Sequence, residues 1–148
     1  MSQKPYPEIS PLNHAYFEGN MLGELRLRRC LACAARFRFA HDLCPICWSP
    51  ALGWDKAAGR GKISHFSIVH QAPSPAFAQD IPYVIALIEL DENVRMMSNI
   101  TGCAPEEIHI GMAVEVYFEP RGDTSIPLFR PASTGTPQNQ TPPADSIT

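Results

Sequence analysis

The chain has 148 residues, of which 45% are hydrophobic and 18% charged, and its formal net charge is −3 at pH 7. This composition is typical of a globular protein, and the apolar run IPYVIALIEL is about half as long as the ~20 residues of a membrane-spanning helix. The first residues, MSQKPYPEIS, lack the apolar block of a secretory signal, so we expect a cytoplasmic protein with reduced cysteines. Residues 1–60 carry eight Lys/Arg and five Asp/Glu, whereas residues 61–148 carry four and ten, which indicates two different modules.

The segment SPLNHAYFEGNMLGEL predicts a short helix within an N-terminal helical segment, residues 1–24. Ser10 would be the N-cap and Pro11 the first helical residue. Tyr16 and Phe17 would lie on its apolar face. They would pack on their own domain or, alternatively, dock on a partner.

Four of the five cysteines form two CxxC pairs separated by ten residues, in CLACAARFRFAHDLCPIC. This spacing predicts a zinc ribbon over residues 25–58, because each CxxC knuckle turns two thiolates toward one ion. Its metal ligands would be Cys30, Cys33, Cys44 and Cys47. Rubredoxin-type iron uses similar knuckles, and disulfides or unliganded cysteines are further alternatives. A closed shell of four thiolates leaves no position for substrate, so we expect one structural metal ion per chain.

Several arginines flank the knuckles: Arg26, Arg28, Arg29, Arg36 and Arg38. They could offset the formal charge of −2 on zinc with four thiolates. They could also bind a phosphate-bearing small ligand or nucleic acid, although the acidic second half makes nucleic acid the weakest of the three.

The second half predicts a mainly β fold, with a five-stranded OB-fold barrel over residues 59–131. Its strands would be GRGKISHFSIVHQ, the central YVIALIEL, VRMMSNI, MAVEVYFEP and SIPLFRP. In the fourth strand alternation places Met112, Val114, Val116 and Phe118 inward and Glu115 and Glu119 outward. The segment CAPEEIHIG could form a short capping helix, and residues 132–148 are expected to be a disordered tail.

The longest loop of this half is APSPAFAQDIP, residues 72–82. Three prolines stiffen it and Phe77 has no evident core position, so the loop is either a binding element or an insertion. Cys103 and His109 lie close in sequence, but no orienting carboxylate accompanies them. We therefore predict no catalytic residue.

The ordered set of YFEGNMLGELRLRRC, the CxxC pairs, GRGKISHFSIVH, PYVIALIELDENVRMMSNITGC, IGMAVEVYF and PLFRP resembles the acyl-CoA-associated family with a rubredoxin-like zinc ribbon and an OB fold. The family was long catalogued as a domain of unknown function. The resemblance covers about Tyr16 to Pro131. Where the family usually has glycine after the second and fourth cysteines, this chain has Ala34 and Trp48, and Ala40 and His41 replace its proline and arginine before the third.

The resemblance implies a non-catalytic accessory subunit of a thiolase-like enzyme or a hot-dog hydratase that helps to form the acyl-CoA site. It implies that the leading helix and the ribbon either dock on the partner or receive the nucleotide end of CoA, where Arg26, Arg28 or Arg36 would contact its phosphates. The barrel and its proline-rich loop would face the acyl chain, and Tyr16, Phe17 and Phe77 would face the acyl group or the partner. The alternative is a zinc-ribbon/OB module that binds single-stranded nucleic acid.

Overall fold

A computed structural model describes residues 3–38 and 41–132. It contains one helix and eight strands in these residues: α1 (His14–Met21), β1 (Arg26–Cys30), β2 (Arg36–Phe37), β3 (Leu52–Lys56), β4 (Arg60–Val69), β5 (Tyr83–Leu90), β6 (Arg95–Ile100), β7 (Ala113–Arg121) and β8 (Thr124–Pro131). Two 3₁₀ turns, Pro75–Phe77 and Pro105–Glu107, lie in the connections before β5 and β7. The predicted tail at 133–148 lies outside the described residues.

Helix α1 begins three residues later than Pro11, so the prediction of Ser10 as its N-cap is wrong. The N–H of Ser10 donates to Oδ1 of Asn13 at 2.7 Å, and the N–H of Asn13 donates to the carbonyl O of Ser10 at 3.2 Å. These reciprocal bonds hold a turn that precedes the helix, and Asn13 takes the N-cap position. The helix ends at Met21, and the φ of +78° at Gly23, two residues later, allows a Schellman-type closure in which the N–H of Glu24 donates to the carbonyl O of Gly19.

The region with the cysteines is a three-stranded antiparallel sheet in the order β2-β1-β3. Strand β3, which the sequence did not indicate, pairs with β1 along its whole length, from Arg26↔Lys56 to Cys30↔Leu52. This pairing returns the chain to the base of the sheet after the second CxxC pair and leads directly into β4.

Strands β4 to β8 form a closed barrel in the order β4-β5-β6-β8-β7, which confirms the predicted five-stranded OB fold. Strand β5 lies between β4 and β6, as its apolar sequence predicted. The parallel contact of β6 with β8 closes the barrel through one register pair, Ile100↔Phe129. A Cβ on Gly61 would lie 2.5 Å from the carbonyl O of Glu89, so only glycine allows β4 to approach β5 this closely.

The main core fills the barrel and continues under α1 and β1. Strand β7 follows the predicted alternation, since Val114 is fully buried and its inward neighbours pack against the same core. Tyr16, Phe17, Leu25 and Leu27 belong to the same cluster of buried residues as the barrel. One core therefore crosses the boundaries predicted at residues 24/25 and 58/59, and the division into separate domains stays a prediction. In residues 3–38 and 41–132, no helix is long and apolar enough to cross a membrane.

Candidate metal centre and barrel cavity

The four cysteines of the two CxxC pairs converge at the tip of the three-stranded sheet. Their Sγ atoms all lie within 4.8 Å of one another, with 3.5 Å between Cys30 and Cys47 and 3.6 Å between Cys33 and Cys44. A tetrahedral ion with metal–sulfur bonds of about 2.3 Å requires sulfur–sulfur distances of about 3.8 Å. These separations fit such an ion and exceed the ~2.05 Å of a disulfide bond. The cluster can therefore hold a metal ion.

The two knuckles repeat the same backbone geometry. The N–H of Cys33 donates to Sγ of Cys30 at 3.4 Å, and the N–H of Cys47 donates to Sγ of Cys44 at 3.5 Å. Each turn then closes through a left-handed residue, Ala34 with φ of +67° and Trp48 with φ of +65°. Glycine would adopt this conformation freely, whereas an L-residue costs about 1–2 kcal/mol there. The knuckles thus keep their geometry despite the departure from glycine.

The thiols of the cluster influence one another strongly. The amide of Cys33 lowers the pKa of Cys30 to about 6. Although the Ala35 amide acts in the opposite direction, burial and the neighbouring sulfurs raise the pKa of Cys33 to about 12. Four thiolates at this distance repel one another, so full ionisation requires a cation between them.

The predicted CoA-phosphate candidates lie on the sheet, and each of them contacts a different part of the chain. Arg26 binds the carboxylates of Glu18 at 3.3 Å and Glu24 at 3.2 Å. The guanidinium of Arg28 lies 4.6 Å from the ring centroid of Trp54. Arg36 binds Asp55 at 2.9 Å, and the same carboxylate lies 3.8 Å from Arg29. Because Arg36 is paired with Arg29 in the sheet, it lies on the opposite face from Arg26 and Arg28, so the structure does not bring the three candidates around one anion position.

The aromatic candidates divide between the core and the barrel surface. Tyr16 and Phe17 are 2% and 8% exposed and contact each other edge to face at 5.3 Å, so both pack within their own chain. Burial raises the pKa of Tyr16, although the nearby Arg38 acts in the opposite direction. Phe77, at the end of a 3₁₀ turn, is half-buried and lies 6.2 Å from Tyr83.

The residues next to the four cysteines include an exposed apolar surface, and this surface was not predicted from the sequence. It consists of four exposed side chains, Leu31, Leu43, Ile46 and Trp48. Ile46 and Trp48 are each 72% exposed. Leu31 and Ile46 stand inside the two CxxC motifs, so apolar residues between the paired cysteines were the available signal.

A cavity of about 330 Å³ opens where the start of β5, the end of β6 and the end of β7 meet. Its apolar wall includes Phe77, Tyr83, Val84, Ile100 and Leu128, and Cys103 lies beside them. The loop at residues 72–82, which the sequence indicated as a possible binding element, thus contributes Phe77 to the wall of this cavity.

Cys103 and His109 have separate electrostatic and hydrogen-bonding neighbours. Burial and the Glu107 carboxylate raise the pKa of the Cys103 thiol. Nδ1 of His109 lies 3.3 Å from the carbonyl O of Glu107, with which it can bond as donor. Cys103 is therefore a neutral thiol in the wall of the cavity at ordinary pH.

A four-thiol ribbon whose core continues into an OB barrel defines the structural class of this protein. Residues 54–119 match the family model described as ChsH2, C-terminal OB-fold domain. A DUF35 domain-containing scaffold protein of Methanothermobacter thermautotrophicus is 36% identical over 91 residues, which are 61% of this chain and 68% of that protein. The chain belongs to the DUF35 family.

Two further similarities extend over most of the chain. The solved structure named Ltp2-ChsH2(DUF35) aldolase superposes with a TM-score of 0.77 at 37% identity, covering 86% of this chain and 100% of the matched one. A probable enoyl-CoA hydratase alpha subunit of Thermomonospora curvata is 38% identical over 132 residues, or 87% of this chain. The chain spans only 40% of the length of that relative.

Proposed function

We propose that this protein is a non-catalytic accessory subunit of a cytoplasmic complex that acts on acyl-CoA esters, with a thiolase-like enzyme or a hot-dog hydratase as its partner. The observation that carries this proposal is the similarity to a chain of the Ltp2-ChsH2(DUF35) aldolase, in which the match covers 86% of this chain and 100% of the matched chain. The names of two relatives, a scaffold protein and a hydratase alpha subunit, agree with such a role.

In this proposal the four cysteines bind one zinc ion per chain, with iron as the alternative. Four thiolates favour zinc or iron among the common metals, and they occupy every position of a tetrahedral ion. The metal then supplies rigidity to the knuckles and takes no part in the chemistry of the partner. Elemental analysis of protein prepared without added metal distinguishes the two ions.

Arg26, Arg28 and Arg36 are the proposed contacts of the CoA phosphates. Arg36 is the best placed, because its side chain is 42% exposed and its partner Asp55 is shared with Arg29. A guanidinium binds phosphate through paired N–H donors, so Arg36→Gln is expected to weaken CoA-ester binding by the complex about tenfold. Arg130→Gln is the matched control, because Arg130 pairs with Glu115 on the barrel. Equal affinities of the two variants would remove the phosphate role of Arg36.

Of the three aromatic candidates for contact with the acyl group or the partner, Phe77 is the accessible one, because it is only half-buried. Tyr16 and Phe17 belong to α1 and are buried in the core that the helix shares with the barrel, so a partner could reach them only if this packing opened.

The proposal is tested by reconstitution. The complex is purified from source cells through a tag on this chain, the chain is removed with salt, and acyl-CoA turnover by the remaining enzyme is measured before and after the chain is added back. We expect the turnover to fall on removal and to recover on addition, while the isolated chain has none. An enzyme whose activity does not depend on the chain, or turnover by the isolated chain, would contradict an accessory role.

A further inference from the structure

The N-terminal residues 4–6, called the strap below, connect two separate parts of the cavity lining. One part is the loop before β5, which contributes Phe77 and Asp80, and the other is the end of β7, which contributes Arg121. Lys4 itself belongs to the lining. The strap is therefore a part of the cavity wall that comes from outside the barrel.

Lys4 is held by a carboxylate and an aromatic ring. Its Nζ lies 2.6 Å from Oδ2 of Asp80 and 5.7 Å from the ring centroid of Phe77. A charge-assisted hydrogen bond and a cation–π contact thus act on the same ammonium group. The N–H of Asp80 donates to the carbonyl O of Phe77 at 3.0 Å, which keeps the two partners of Lys4 in one turn. The loop at residues 72–82 therefore offers a preformed position for a cation.

The hairpin between β7 and β8 holds the next two residues of the strap. Nη1 of Arg121 donates to the carbonyl O of Pro5 at 3.2 Å, and Nη2 of the same guanidinium is bound to Glu119 at 2.8 Å. The ring of Tyr6 lies over Gly122, where an added Cβ would come within 3.1 Å of it. The strap is therefore anchored on the loop by its first residue and on the hairpin by the other two.

The sequence of the strap favours an extended shape before it binds. Lys4 and Tyr6 each precede a proline in KPYP, and a residue before proline is restricted to extended backbone conformations. Because the free segment has fewer conformations than an ordinary terminus, ordering it across the cavity costs less entropy. Its other end is fixed by Asn13, whose Nδ2 donates to the carbonyl O of Glu8 at 3.0 Å.

The strap can leave the cavity without disturbing the core. The side chains of Lys4 and Asp80 are 31% and 39% exposed, and ion pairs between such groups contribute little to stability. Tyr6 is largely exposed, and residues 3–10 contribute no side chain to the buried core. The barrel and α1 therefore keep their packing whether the strap is bound or released.

We propose that residues 4–6 act as a reversible strap that closes the barrel cavity of the free chain and must detach before a ligand or a partner segment enters. The strap is an autoinhibitory contact, in which the ammonium group of Lys4 occupies the position that Asp80 and Phe77 offer to a cation. All of its contacts lie within this chain, so the proposal does not depend on the enzyme partner or on the ligand of the complex.

Carbon-13 dimethylation of the lysines, which retains their charge, shows whether the strap is bound in solution. The metal-loaded full chain has three lysines, Lys4, Lys56 and Lys62, and Lys4→Gln identifies the signal of the first. We expect a nuclear Overhauser contact between the Lys4 methyl groups and the Phe77 ring, and its loss in Asp80→Asn. The absence of this contact in the wild-type chain would overturn the proposal.

Closure is measured by the alkylation rate of Cys103, which lies in the cavity wall. Iodoacetamide is the reagent, and the tryptic peptide 96–121 contains no other cysteine. We expect Lys4→Gln to raise the rate at least fivefold, whereas Lys62→Gln removes the same charge from an exposed position on β4 and should not change it. Loss of a nearby cation raises the pKa of a thiol and slows its alkylation, so electrostatics alone would act in the opposite direction. The wild-type rate in folded Lys4→Gln protein would overturn the proposal.

Reversal of the charges separates closure from other effects of the substitution. Lys4→Glu should raise the alkylation rate as Lys4→Gln does. Addition of Asp80→Lys should return the rate to within about twofold of the wild-type value, because the ion pair forms again with its signs exchanged. Circular dichroism and metal content verify that each variant is folded. A rate in the double variant that stays as high as in Lys4→Glu would show that this ion pair does not close the cavity, and would overturn the proposal.

Discussion

Removal of the metal should unfold the knuckles and leave the barrel folded. The buried cluster at the ribbon tip contains one large apolar side chain, Phe37, with Cys30 and Cys44. Burial of a phenylalanine contributes about 1.5–3 kcal/mol, whereas a structural zinc ion contributes about 10 kcal/mol or more of apparent folding free energy. The main core, which fills the barrel and includes the fully buried Ile88 and Phe129, contains none of the four paired cysteines, so the barrel should not depend on the metal.

Hydrogen exchange with mass spectrometry measures this difference directly. The amides of Cys33, Ile46 and Cys47 donate to sulfur, so they lose their acceptor geometry when the metal leaves. With about 1.4 kcal/mol per factor of ten, a loss of only ~4 kcal/mol accelerates their exchange about 10³-fold. Amides of β5, which pair with strands on both sides, should change less than about threefold.

The variant Cys44→Ser should reproduce the effect of the chelator, and Cys103→Ser is the matched control because Cys103 is outside the cluster. Unchanged protection of the knuckles in the chelated protein would refute the role of the metal. Loss of protection in the barrel at the same time would refute the independence of the two cores.

Three further predictions concern single residues. Trp48→Gly should stabilise the metal-loaded knuckle by about 1 kcal/mol, because the Trp48 side chain is exposed and its backbone has a left-handed conformation that glycine adopts without strain. Competition with a chelator measures this stability, and faster loss of metal from the variant would contradict the prediction. Gly61→Ala should lower the free energy of unfolding in urea by about 1–3 kcal/mol, because its Cβ would lie 2.5 Å from a backbone oxygen. Gly53→Ala is the control, since its Cβ would meet only the flexible Leu31 side chain at 3.3 Å, and equal urea midpoints for the two variants would exclude this steric cause. Since the pKa of Cys103 is raised, less thiolate is present at a given pH, and its alkylation rate should rise at a higher pH than that of a cysteine peptide. A midpoint of the rate against pH at or below that of the peptide would show that the shift is absent.

The sequence predicted best what local spacing determines. Two CxxC motifs bring four thiols together because each knuckle is a short-range turn, and alternation in MAVEVYFEP correctly placed Val114 inside. The N-cap was misplaced because Asn13 bonds back to Ser10 and competes with the helix start that Ser10 and Pro11 favour. Strand β3 was missed because the alternation in LGWDK is only four residues long and includes a glycine, and because the strand forms by pairing with β1, more than twenty residues earlier in the chain.

The cavity could not be predicted because it depends on tertiary convergence. Phe77 was noticed as an apolar residue without a core position, but its neighbours Tyr83, Cys103 and Leu128 come from three other elements. Lys4 stands far from all of them in sequence, and only the folded chain places it against Asp80. The ion pairs of Arg26 and Arg36 were equally invisible, because basic spacing alone does not indicate which carboxylates lie nearby.

Native mass spectrometry of the tagged full-length chain, purified gently from its own source cells, tests the central claim most directly. We expect a complex that contains this chain with one zinc ion and a larger subunit that turns over an acyl-CoA ester. A chain that carries its metal but no protein partner, or that carries nucleic acid instead, would contradict the account of an accessory subunit.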